Sequence, residues 1–392
     1  MGREAGYSIV ELIIATGVSL SVLASTLTLV GGVQSSFANQ SERADMQQRL
    51  RVASDALYKD LLMAGAGPYQ GAHAGALDHF VAPVLPFRQG AVNTDSPGTF
   101  RTDTLTAVYV PPATAAQTTI RQPMPAQSGS VSVNIGAGCP PNDPSCGFNA
   151  GMDVMIYDET ASYDTFRITS VQGGILQLHH NMIDTPRSYA AGAAIVEVTS
   201  YTYYLRTDAA TDTSQLMRYD GVSSDALVVD HIVGLTFDYD GDPFPPVLVK
   251  PITEPTGPWT TYGPKPPPLG VRPTTYPAGE NCAFQLDSTG LVQIPRLAAL
   301  GGGTTTLVRL TAAQLTDGPW CPDPTSPHRF DADLLRIRTI VVTLRLETAL
   351  SALRGPAGVL FTHGGTSRSA NRWVPDQEIR FPVSPRNLNL AR

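Results

Sequence analysis

Between Leu12 and Val33 the chain carries no charge and no proline. A helix over this run is roughly 33 Å long at about 1.5 Å per residue, the thickness of a bilayer core. One ionisable side chain, Glu11, stands at its outer end. A carboxylate there costs a few kcal/mol or more in lipid unless something pairs with it. An ordinary secretory signal has a basic n-region, a shorter apolar core and a small-x-small cut behind it. Here the six residues before Tyr7 are formally neutral, the apolar run is longer, and an acid interrupts its start.

The run continues into a second helical pattern over 34–65. Met46, Leu50, Ala53, Leu57, Leu61 and Ala64 recur at three- and four-residue steps, with Arg49, Arg51, Asp55, Lys59 and Asp60 between them. Gly65, Gly67 and Pro68 mark the stop. Residues 66–98 are rich in Gly, Pro and Ala and read as loop. Strand signals follow at 103–110, 131–135, 152–157, 164–169, 174–178, 195–205, 216–219, 227–229, 232–239 and 336–346. The fold class expected is therefore α+β: a long N-terminal helix, apolar then amphipathic, packed on an antiparallel β-rich domain with long loops. One short helix is expected near Thr311.

Residues 241–280 form a proline-rich insertion with Trp259, Tyr262 and Tyr276, extended in the polyproline manner. It reads as a surface loop pinned by Cys282, with a contact surface as the alternative. The 392 residues carry a net charge of −7, with 16% charged residues, 35 Gly and 33 Pro. That balance suits a strand-and-loop protein outside the cytoplasm and excludes a basic nucleic-acid groove as the main business. Cys139, Cys146, Cys282 and Cys321 make an even count, which reads as disulfides in an exported chain. Three pairings are open, with Cys139–Cys146 and Cys282–Cys321 the simplest.

Enzymatic constellations are missing from the sequence. There is no GxSxG elbow, HExxH helix, Walker loop or GxGxxG after a strand. His179-His180 with Asp184 nearby reads as a solvated pair at a strand end, with a metal or base role as the lesser alternative. Asp238, Asp240 and Asp242 alternate around Gly241 and offer a fragment of a calcium loop, though no bidentate Glu follows at the required distance. An acidic turn is the alternative, and no other cofactor is expected.

Met1-Gly-Arg-Glu-Ala-Gly6 followed by Tyr7-Ser-Ile-Val-Glu11 resembles the type IV pilin superfamily, whose precursors end a short polar leader in Gly and carry Glu at the fifth residue after it. The resemblance implies a prepilin peptidase cut between Gly6 and Tyr7, N-methylation of Tyr7, and pairing of Glu11 with a neighbouring subunit's new amine during assembly. It divides the chain into leader 1–6, filament-core helix 7–33, amphipathic half 34–65 and β-rich domain 66–392. Gly151–Tyr157, Tyr203–Arg206, Leu216–Arg218, Ile232–Tyr239 and the ending Val383–Leu390 are similar to phrases of PilW-like minor pilins. That implies a structural subunit of a type IV pilus, a single-pass inner-membrane precursor that moves to the cell surface. Its partners would be other pilin subunits, the peptidase and the inner-membrane assembly platform, with no nucleic acid and no catalysis. The alternatives are a minor pseudopilin of type II secretion or an adhesive tip subunit. The proline common deeper in this helix among major pilins is replaced here by Thr26-Leu-Thr-Leu29.

Overall fold

The computed structural model describes residues 8–69, 74–90, 92–93, 95–96, 98–111, 115–136, 138–180, 187–208, 210, 213–246, 282–286, 288, 293–303, 305–354 and 374–389. Its contacts divide it into two compact units, one of residues 1–51 and 345–377 and the other of 52–344 and 378–392.

The apolar run and the amphipathic pattern are one helix, α1, from Ile9 to Met63. All six residues of the expected stripe are buried: Met46, Leu50, Ala53, Leu57, Leu61 and Ala64. The helix ends as anticipated. Gly65 takes φ +82°, a conformation that only glycine adopts cheaply, and its N–H leaves the helix to donate to the Val108 carbonyl at 3.0 Å. In the first unit, Glu42 on this helix is buried. It accepts from Thr348 Oγ1 at 2.7 Å and from the Ala349 N–H at 2.6 Å.

The strands in chain order begin with β1 (Val84–Leu85), β2 (Leu105–Tyr109), β3 (Gln117–Thr119), β4 (Ser130–Ser132) and β5 (Asp153–Tyr157). Then come β6 (Tyr163–Gln172), β7 (Ile175–His180), β8 (Ala194–Glu197), β9 (Thr199–Asp208), β10 (Thr213–Tyr219), β11 (Asp225–Asp230) and β12 (Ile232–Gly241). The later ones are β13 (Phe284–Leu286), β14 (Gln293–Pro295), β15 (Val308–Leu310), β16 (Trp320–Cys321), β17 (Phe330–Asp331), β18 (Ile337–Leu346) and β19 (Gln377–Val383). They form a five-stranded sheet ordered β1-β2-β9-β10-β11, a four-stranded sheet ordered β15-β12-β18-β19, a six-stranded sheet ordered β3-β8-β5-β6-β7-β4, and two hairpins. Every pairing with a resolved register is antiparallel.

The six-stranded sheet closes on itself. Beyond β3 and β4, Ile120 bridges Val133, Arg121 N–H donates to the Ser132 carbonyl at 2.7 Å, and Asn134 N–H donates to Thr119 at 2.9 Å. The result is a small barrel filled by Ile120, Val131, Phe148, Val154, Ile156, Phe166, Ile168, Leu176 and Ile195. Closure removes the sheet's unpaired edges.

Two expectations are corrected. The long signal at 195–205 is two strands in two sheets: β8 belongs to the barrel and β9 to the five-stranded sheet. Between them the Val198 N–H turns to the Asp153 carbonyl at 2.9 Å, which ends pairing along one line. Near Thr311 there is one hydrogen-bonded turn rather than a helix. Thr311 N–H and Oγ1 both donate to Gln314 Oε1 at 2.9 Å, so the capping interaction closes on itself with no helix behind it.

The five-stranded sheet gains a polar clasp outside the strands. The Arg88 guanidinium lies between the Tyr204 and Tyr219 rings, 4.3 and 4.2 Å from their centroids, and pairs with Asp225 at 2.8 Å. Gly90 follows at φ +139°. A Cβ there would meet the Tyr219 ring at 2.4 Å, so the chain approaches the ring only without a side chain.

Candidate functional site

The feature that separates this chain from an ordinary globular domain is the first part of α1. Residues Ile9–Val30 form the one segment among the described residues long and apolar enough to cross a membrane, and all of it is exposed. Leu12, Ile13, Ile14, Leu20, Leu27 and Leu29 point in all directions around the axis and each is more than half exposed. Five of the six hydroxyls on this surface are returned to the backbone of the helix itself. Thr16, Ser21, Ser25, Thr26 and Thr28 each donate to the carbonyl four residues earlier, at 2.8–3.0 Å. Such back-bonding lets a hydroxyl sit in an apolar medium.

The N-terminus of α1 carries a signal that the charge-centred reading overlooks. Ser8-Ile-Val-Glu11 is a capping box. Ser8 Oγ accepts from the Val10 N–H at 3.3 Å, and Glu11 Oε2 accepts from the Ser8 N–H at 3.1 Å. Glu11 therefore has a local role in starting the helix, besides any role toward another chain. Gly6 and Tyr7 lie outside the described residues, as do Trp259, Tyr262 and Tyr276 of the insertion.

In the second unit the end of α1 is locked to the five-stranded sheet by Asp60, which the helical pattern places on the polar face. The side chain is instead buried. Asp60 accepts from Tyr203 Oη at 2.6 Å and from Tyr109 Oη at 3.2 Å, with the Arg218 guanidinium 3.6 Å away. Burial first, and then the Asp60 charge, push both phenols far above their ordinary pKa, so they stay donors.

The cysteines pair as Cys139–Cys146 and Cys282–Cys321. An apolar helix together with two disulfides fits a single-pass membrane-anchored chain whose β-rich domain faces an oxidising compartment. Asp238 and Asp240 lie on β12 and Asp242 just beyond its end, and all three face arginines. Asp238 and Asp240 share Arg309 at 2.8 and 2.6 Å, Arg380 stands 3.7 Å from Asp238, and Asp242 pairs with Arg338 at 2.7 Å. A calcium ion at these carboxylates would compete with three guanidinium groups.

Of the pair read as solvated, His179 is exposed and His180 is not. His180 is the last residue of β7, its side chain is 14% exposed, and it faces Asp164 rather than solvent. Asp184 lies outside the described residues. The third member of this group is His328, far away in sequence, whose Nε2 lies 2.8 Å from Asp164 Oδ1. A partial signal existed. Asp164-x-Phe166-x-Ile168 and Leu176-x-Leu178-x-His180 are alternating inward-facing series that each end in a polar residue, and such an end marks the mouth of a barrel. Nothing local pointed to His328.

Comparison of the chain with protein-family models and with curated protein sequences found no match.

Proposed function

We propose that this chain is a structural filament subunit of the type IV pilin kind, acting as a minor pilin. It is made as a single-pass inner-membrane precursor with its β-rich domain in the periplasm. Prepilin peptidase cuts after Gly6 and methylates Tyr7, and other pilin subunits then take up the helix at the inner-membrane assembly platform.

The observation that carries this reading is the division of labour along α1. Its second half is amphipathic, and the chain buries the apolar stripe itself. Its first 22 residues are apolar all round and exposed. A helix that is hydrophobic on every face needs lipid or other helices around it. In lipid, association comes from close packing rather than from the hydrophobic effect. Gly17, Ser21 and Ser25 form one small-residue face suited to that. A Cβ built on Gly17 meets nothing within 4 Å, so nothing in its own chain requires Gly17 to be small. The size of the β-rich domain favours a low-copy position at the start or tip of a filament over a repeating one.

The capping box shapes the test, because Glu11→Ala removes both a charge and a cap. Glu11→Gln removes the charge and leaves an acceptor for the Ser8 N–H. Pairing with a neighbour's amine predicts that both variants stay in the membrane fraction and are depleted from sheared filaments. Normal incorporation of Glu11→Gln would refute charge pairing, and an intact mass beginning at Met1 in native membranes would refute the processing.

A further inference from the structure

We propose that Asp164, His180 and His328 form a binding site for one divalent transition-metal ion of the zinc class, at one end of the six-stranded barrel. Asp164 comes from β6, His180 from the end of β7, and His328 from the connection between β16 and β17. One ligand atom from each lies within 4.8 Å of the other two. Asp164 Oδ1 is 2.8 Å from His328 Nε2 and 3.6 Å from His180 Nε2. Ligands held about 2.0–2.2 Å from a tetrahedral zinc sit roughly 3.3 Å apart, which these two distances bracket.

Three further observations point to an ion. First, the two oxygens of Asp164 have different tasks. Oδ2 accepts from Tyr189 Oη at 2.9 Å and from the Arg187 N–H at 3.0 Å. Those bonds turn Oδ1 toward the imidazoles, as outer partners turn a ligating carboxylate. Second, Asp164 Oδ1 and His328 Nε2 are inaccessible to solvent, yet neither makes a hydrogen bond of acceptable angle despite their 2.8 Å separation. Third, the positive charge of Arg187 is turned away, toward Asp323 at 3.2 Å and Ser162 at 3.1 Å, so it does not occupy the position.

Two imidazoles and one carboxylate suit zinc, cobalt or nickel and do not suit calcium, which prefers an all-oxygen shell. Three protein ligands leave a fourth position for water. The role inferred is a staple that joins two barrel strands to the β16–β17 connection, which is also held by the Cys282–Cys321 disulfide through Cys321 of β16.

The test uses the full-length, tag-free chain in detergent, stripped with a chelator and titrated with zinc or cobalt(II). One zinc binds per chain and raises the melting temperature, and cobalt(II) gives the visible bands of a four-coordinate site. His180→Gln, at the most exposed of the three positions, abolishes the cobalt bands while the apo protein keeps its far-ultraviolet circular dichroism. Tyr189→Phe, which releases Oδ2 while sparing all three ligands, weakens zinc binding about 10- to 100-fold. The proposal is overturned if the stripped wild type takes up no zinc, or if zinc binds the His180→Gln and His328→Gln variants as tightly as the wild type. It is also overturned if calcium gives the same thermal shift as zinc.

Discussion

Removing the Asp60 carboxylate tests how α1 is held to the sheet. Asp60→Ala takes away the acceptor for Tyr203 Oη and Tyr109 Oη and the counter-charge of Arg218. Hydrogen bonds to a charged group are worth about 1.5–3 kcal/mol net. Three details reduce the simple sum. The Tyr109 bond is long at 3.2 Å, Tyr203 Oη keeps the Ala56 carbonyl within 3.2 Å, and a buried carboxylate has a desolvation cost that the substitution removes. Arg218 also retains its stack on Tyr201, 4.4 Å from the ring centroid. The expected loss is therefore about 2–4 kcal/mol. Tyr203→Phe leaves Asp60 with Tyr109 and Arg218 and should cost roughly 1.5–2 kcal/mol.

The sharper quantity is the coupling between the two. In the Asp60→Ala background Tyr203 has lost its charged acceptor, so Tyr203→Phe should cost less than about 0.5 kcal/mol, a coupling of at least ~1 kcal/mol. Urea unfolding of the full chain in detergent micelles, followed by near-ultraviolet circular dichroism of the buried tyrosines, measures all four proteins. An unchanged denaturant slope confirms that the same surface unfolds in each. If the two substitutions add within ~0.3–0.5 kcal/mol, the carboxylate and phenol do not act as a pair, and the reasoning about this clasp fails.

Other substitutions probe other parts of the molecule. Burial pushes Asp331 up to about 7 and Asp333 up to about 6, against the ordinary carboxylate value. Folded pKa values above the unfolded ones mean that the native state holds the extra protons. Stability from this pair is thus fully present below about pH 4 and is lost as pH rises through 6 and 7. Thermal melts from pH 5 to 8 should show that slope, and Asp331→Asn should flatten it; an equal slope in both proteins would exclude Asp331 as the source. Among the disulfides, Cys282–Cys321 spans 39 residues and Cys139–Cys146 spans 7. Loop-closure entropy then predicts a loss of about 4 kcal/mol for the Cys282→Ala/Cys321→Ala double variant and about 2.5 kcal/mol for Cys139→Ala/Cys146→Ala, and denaturant midpoints in the reverse order would contradict it. Arg88→Lys keeps the charge opposite Asp225 but loses the planar stack between two rings, and should cost about 1 kcal/mol or more on urea unfolding.

The parts legible in the sequence are those fixed by neighbours in the chain. The apolar run, the stripe from Met46 to Ala64 and the stop at Gly65 depend on three- and four-residue spacing and on one residue's backbone freedom. Most strand signals stand within a few residues of their place for the same reason. What was hidden depends on contacts far apart in sequence. The step at Val198 from one sheet to another leaves the alternation of 195–205 unbroken and shows only as a hydrogen bond to Asp153. Barrel closure through Ile120 and Val133 is a property of the whole six-stranded sheet. Asp60 sits on the polar side of a helical wheel, and Tyr109 and Tyr203, 49 and 143 residues further on, together with Arg218, make its burial tolerable.

The same distinction bears on the two acids of α1. Glu11 and Asp60 lie on one helix, and each stands where a lone carboxylate would be costly. Asp60 finds its donors within the chain. Among the described residues Glu11 is met by a single backbone N–H in its own first turn, which starts a helix but supplies no counter-charge for a carboxylate at the edge of lipid. A capping box needs only an acceptor at that position, and glutamine would serve. On the proposed filament reading, the acid in particular answers a positive charge, the amine created at Tyr7 of an adjacent subunit. Glu11→Gln, which keeps the cap and removes the charge, is for that reason the substitution on which the filament reading turns.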